Sequence, residues 1–172
     1  MEIAYLSEKN VKIKGKQVTL VTALPEGKNK VTSDAVLLLG AQRSSEFTHS
    51  ELGIVFQGPG EYEVKGTKIT GFKTGEEVMY TVNVDGMSLF VGNVSSAEKA
   101  KDTLHEHDVA LLFADEVLSQ ATMGVLNARI IIFVDGMSLE NAKAFDKEGA
   151  KVNKYAVTKD KIPAETEFVF LG

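Results

Sequence analysis

Near residue 94 the spacing of apolar residues changes, and that change limits the folds open to the chain. Before it, short apolar or alternating runs are divided by polar turns: Glu2 to Leu6, Val11 to Lys14, Gln17 to Thr22, Ala35 to Leu39, Ile54 to Phe56, Val78 to Val84 and Met87 to Val91. Runs of this length read as strands, the first three as an antiparallel meander. Ala35 to Leu39 is apolar throughout, as expected of a strand covered on both faces. After the change, strand-like runs at Val109 to Phe113, Arg129 to Val134 and Glu167 to Leu171 are joined by helix-forming segments. Those segments are Ser96 to Leu104, Glu116 to Leu126 and Ser138 to Glu148, the last stopped by Gly149. A strand-rich half followed by an alternating half predicts an α+β chain. It permits two sheets packed face to face with helices outside, although periodicity does not select that arrangement over other α+β ones.

Composition narrows the function classes. A chain of 172 residues with 44% hydrophobic and 25% charged residues suits one domain spanning residues 1–172. The net charge is -5, and the basic residues are scattered, so counterion release from a phosphate backbone has no basic patch to drive it. Nucleic acid is therefore not an expected partner. No cysteine is present, which removes disulfides, thiolate metal sites and a cysteine nucleophile. Met1 to Tyr5 opens directly into strand-like sequence, and no run reaches membrane-spanning length; the expected setting is the cytoplasm, with no membrane partner.

The most distinctive stretch is Gly58-Pro59-Gly60-Glu61-Tyr62-Glu63-Val64-Lys65-Gly66, a turn, a strand and a second turn in nine residues. Proline pre-sets one φ between two permissive glycines, and Glu61 to Val64 then alternate out and in. Asp85-Gly86 is a second strong hairpin signal, because both positions tolerate positive φ. It belongs to a hexapeptide, Val-Asp-Gly-Met-Ser-Leu, that occurs at Val84 to Leu89 and again at Val134 to Leu139. The flanking residues do not align, so the repeat reads as coincidence rather than duplication.

With its neighbours, the Gly58 to Gly66 hairpin resembles that of metallo-β-lactamase-fold proteins, in the subgroup of small bacterial proteins similar to L-ascorbate 6-phosphate lactonase. The resemblance covers nearly the whole chain and implies a compact four-layer αββα sandwich. It also implies one or two Zn or Mn ions, which activate a bound water for hydrolysis. The family's His-x-His-x-Asp-His loop follows the strand equivalent to Ala35 to Leu39, where this chain has Gly40, Gln42, Ser44 and Ser45. The family's Gly-Asp appears as Gly92-Asn93, its late histidine falls at Asp135, and its early Gly-His-Ser is Ser7-Glu8-Lys9. Glycine and hydroxyls do not replace imidazoles and carboxylates as ligands.

The resemblance therefore implies a vestigial cleft at Gly40, Gln42, Ser44, Ser45, Asn93 and Asp135, with no catalytic residue and no cofactor. The expected role is a catalytically inactive binding or assembly module for a small polar ligand or a protein partner, and the family leaves room for a homo-oligomer. The alternative is a divergent metal-dependent hydrolase with a rebuilt site using Glu46, His49, Glu76 or Asp135. Glu46 and His49 have a spacing that places both on one helical face, but they supply two ligands of the three or four required. His105 and His107 read as a solvated helix end. Ser44-Ser45 and Ser95-Ser96 lack a nucleophile elbow and read as loop and helix-capping residues.

Overall fold

The computed structural model describes residues 1–7, 10–22, 32–40, 52–147 and 150–172, with Leu52 described by its backbone alone. The described strands form two sheets. The six-stranded sheet holds β1 (Glu2–Ser7), β2 (Asn10–Lys14), β3 (Thr19–Val21), β4 (Ser33–Leu37), β5 (Leu52–Phe56) and β13 (Lys154–Ala156), in the order β13-β1-β2-β3-β4-β5. The eight-stranded sheet holds β6 (Gly60–Val64), β7 (Thr67–Thr74), β8 (Glu77–Val84), β9 (Met87–Asn93), β10 (Val109–Phe113), β11 (Ile130–Val134), β12 (Lys151–Val152) and β14 (Glu167–Leu171). Its order is β12-β14-β11-β10-β9-β8-β7-β6. The meander β1-β2-β3 is antiparallel, as the sequence predicts, and β9, β10, β11 and β14 run parallel.

Period-two alternation builds two cores from one sheet. Val109 and Leu111 face inward with Ile130, Ile132 and Val134, meeting Ile3, Ile13, Leu20, Ala35 and Leu37 of the other sheet. Ala110, Leu112, Ile131 and Phe133 face outward and are covered by residues of three short helices. These are α1 (Val94–Lys99), α2 (Gln120–Leu126) and α3 (Ser138–Ala144), contributing Val94 and Ala97, Leu126, and Ala142. Val21, Val36 and Leu38 are fully buried on the far face of the six-stranded sheet, so β4 is covered on both sides as its apolar run predicts. The chain is α+β, with two mixed sheets face to face.

Three helix boundaries differ from the sequence reading. α1 begins at Val94 with Asn93 at its N-cap, and it ends at Lys99 before a single 3-10 turn at Lys101–Thr103. The serines expected to cap it lie inside its first turn. α2 starts at Gln120, where the Ser119 hydroxyl accepts from the Thr122 N–H, because this cap satisfies an otherwise orphaned donor. α3 stops at Ala144, short of Glu148. The short strands β12 and β13 carry no alternating apolar pattern, and sequence reasoning did not find them.

The Gly58 hairpin forms as predicted. Lys65 and Gly66 both have positive φ, 49° and 76°, in the turn joining β6 to β7. The Tyr62 hydroxyl donates to the carbonyls of Gly58, 3.0 Å, or Pro59, 3.2 Å, and its ring stacks on Phe56 at 4.3 Å. A Cβ at Gly71 would lie 2.5 Å from the Gly58 carbonyl, so the reversal is seated against a position that only glycine fits.

Candidate functional site

The parallel strands end in register: Asn93 pairs with Phe113, Phe113 with Val134, and Val134 with Leu171. The segments that follow these ends open on one edge of the sandwich, the usual place for a site in sheets of this kind. Across from them β4 continues into Leu38, Leu39 and Gly40. That continuation is stitched to the opposite sheet, because the Leu39 carbonyl accepts from the Val78 N–H at 3.0 Å. The buried Tyr80 hydroxyl lies 3.0 Å from the Leu38 carbonyl and 2.9 Å from the Phe56 carbonyl, donating its one proton between them. Burial pushes its pKa up, so it remains a donor at any ordinary pH. These bonds fix the distance between the sheets at the mouth.

Glu77 is the central group on the β9 side. Its Oε1 accepts from Asn93 Nδ2 at 2.9 Å and its Oε2 accepts from the Ser96 hydroxyl. A carboxylate only accepts, which orients the Asn93 amide with nitrogen toward Glu77. Asp115, just after β10, accepts from the Ser95 N–H at 3.0 Å and from the Ser95 hydroxyl. Two carboxylates from the strands on either side of β9 thus converge on the first turn of α1, where exposed N–H groups favour negative charge. The helix itself carries no acidic residue in that turn.

Asp135 lies at the end of β11 with φ 51°, followed by Gly136 at 47°. A Cβ on Gly136 would sit 2.2 Å from the Ala114 carbonyl, which also accepts from the Met137 N–H at 2.6 Å. Backbone in this sparsely populated region costs about 1–3 kcal/mol for a residue other than glycine, least for Asp and Asn, and persists where surrounding bonds hold it. Asp85-Gly86 adopts the same pair of positive φ values, 53° and 78°. The repeated hexapeptide therefore encodes one local turn used twice, in a hairpin and at a strand-to-helix junction.

Of the residues the sequence singled out, the structure brings Asn93 and Asp135 to the mouth edge with Gly40 across from them. Glu76 sits exposed at the tip of the turn between β7 and β8, and its neighbour Glu77 is the residue that reaches Asn93. Gln42, Ser44, Ser45, Glu46 and His49 lie outside the described residues. Sequence reasoning missed Glu77 and Asp115 and read Ser96 only as a helix cap; Asp115 was findable as an acidic residue just past the end of a buried strand. The histidine reading needs correction as well. Leu104 to Asp108 is an irregular connection rather than a helix end, and His107 is buried.

No protein-family model matches the chain, and no curated protein matches it significantly. Solved structures do. A protein of Thermotoga maritima assigned as a Zn-dependent hydrolase of the metallo-β-lactamase superfamily matches with a TM-score of 0.73 and 22% identity, covering 99% of this chain and 98% of its own. A protein of Parabacteroides distasonis assigned as a metal-dependent hydrolase matches with a TM-score of 0.54 and 11% identity, over 83% of this chain and 87% of its own. The chain has the metallo-β-lactamase fold.

These matches correct one expectation. The reading that no cofactor is bound does not stand, because the proteins sharing the fold are assigned as metal-dependent. The described residues alone do not form a metal centre: no group of three or more His, Cys, Asp or Glu among them is placed to hold an ion. Glu77 and Asp115 are committed to the first turn of α1. Among the described residues, no helix is long and apolar enough to cross a membrane.

Proposed function

We propose that the protein uses the mouth between its sheets to bind a small polar ligand and does not hydrolyse it. The observation that carries this reading is the Glu77–Asn93–Ser96 set. The position that holds a carboxylate in the family resembled here is an amide, and its nitrogen is spent on Glu77 at 2.9 Å. What Asn93 still offers is a carbonyl oxygen and a second N–H, suited to a ligand hydroxyl or amine. Asp135, held by a strained turn, supplies a second acceptor at the same edge. Thermal-shift screening against sugars, sugar phosphates and nucleotides tests this. At least one class is expected to raise the Tm of the wild type and not that of Asp135→Asn; a panel with no stabiliser overturns the reading.

The second reading is a divergent metal-dependent hydrolase whose site uses Glu46, His49, Glu76 or Asp135. The assigned character of the two similar structures favours it. Elemental analysis of protein purified without chelator separates the two, since stoichiometric metal lost in both His49→Ala and Asp135→Ala would establish a rebuilt centre.

A further inference from the structure

We propose that His107 is an acid-sensitive latch, holding the Leu104–Asp108 connection and α2 against the sheet at the end opposite the mouth. Three elements meet at this residue. Its backbone N–H donates to the Leu126 carbonyl at the end of α2, 3.0 Å. Its ring Nε2 lies 3.1 Å from the Thr81 hydroxyl of β8, and its ring meets Phe90 of β9 edge-on at 5.5 Å. The residue is 7% exposed.

The ring Nδ1 is buried and has no hydrogen-bond partner. A neutral ring tolerates this by donating from Nε2 to Thr81 and leaving Nδ1 as a bare lone pair. A second proton on Nδ1 would create a buried cation, a far more costly state. Protonation is therefore coupled to removal of the ring from its site. Burial is the main force holding the pKa below the ordinary histidine value, and the His105 ring adds to it. The His105 carbonyl and the Asp108 carboxylate oppose that shift without reversing it. The surrounding elements do not compensate. α2 and β9 carry no ionisable side chain, and on β8 Glu77 is engaged with Asn93 and Ser96 while Tyr80 bonds to the opposite sheet.

A group with a depressed folded-state pKa protonates first in the open form. Taking an ordinary histidine pKa of about 6.5 for that form, one-proton linkage raises the population of the opened segment between pH 7.5 and 5.5, by at most about tenfold. Hydrogen exchange of the full chain, corrected for intrinsic rates, reads this directly. Protection of residues 104–108 and α2 is expected to fall over that range, by up to about tenfold, while β10 and β11 hold theirs, and His107→Gln, with an amide to pair Thr81, should lose the pH dependence. Equal protection at both pH values, or a fall that survives in His107→Gln, overturns the proposal. If that variant does not fold, NMR titration of the wild-type His107 imidazole decides: it is expected to titrate below the ordinary histidine value and together with the loss of α2 protection. Titration near the ordinary value with α2 still protected would refute the latch.

Discussion

Asn93 sits at the N-cap position of α1, but its side chain makes no capping bond and instead orients a carboxylate from the adjacent strand. Asn93→Asp tests this, because it sets two carboxylates against each other where a donor and an acceptor now meet. Loss of the bond and like-charge repulsion should lower stability by about 1–3 kcal/mol in urea denaturation; an unchanged or raised midpoint would show that Glu77 does not depend on the amide. Tyr80→Phe probes the other side of the mouth. Removing the hydroxyl strips a partner from buried carbonyls at Leu38 and Phe56 and should cost about 1–3 kcal/mol, seen as a shift in denaturation midpoint with little change in slope. Both roles were invisible in the sequence. Asn93 was read there as a lost ligand and Tyr80 as one more apolar strand residue, because the partners are 16 residues away in the first case and 24 and 42 in the second. Local conformation was far more legible: both Asp-Gly pairs take the positive φ that their chemistry favours.

Among the elements, strands were readable and helix ends were not. Val109–Phe113 and Glu167–Leu171 fall where the apolar runs place them, since burial on one or both faces leaves a clear pattern. The helices are only six or seven residues long, too short for propensity to fix their ends, which are set by contacts from elsewhere. α2 shows how. Glu98 of α1 accepts from the Ser119 N–H at 2.6 Å, the Ser119 hydroxyl at 2.9 Å and the Thr122 hydroxyl at 2.8 Å, tying the two helices together. Partial burial raises the Glu98 pKa, but those three hydrogen bonds outweigh it, with help from Lys101, and the net value lies below the ordinary one. A depressed carboxylate contributes stability above its unfolded pKa and loses it as pH falls through the folded value. Glu98→Gln should therefore cost about 1 kcal/mol at pH 7. The gap from wild type should narrow as pH falls below about 4.5, and parallel Tm curves down to pH 3 would refute the assignment.

For the whole molecule, the fold was legible through one hairpin and a change of rhythm, and a structural match over 99% of the chain agrees. The site was legible only as a set of substitutions. The resemblance suggested which positions to examine for ligands, but the sequence could not show that Glu77 and Asp115 turn toward a helix end, because that depends on how strand ends align across the sheet. The central claim is that this mouth binds without hydrolysing. It is tested most directly by assaying turnover of lactone, carboxylic ester and phosphodiester substrates by protein supplied with excess Zn²⁺ or Mn²⁺. No turnover above the metal-only blank is predicted for the wild type; turnover that disappears in Asp135→Ala would contradict the account.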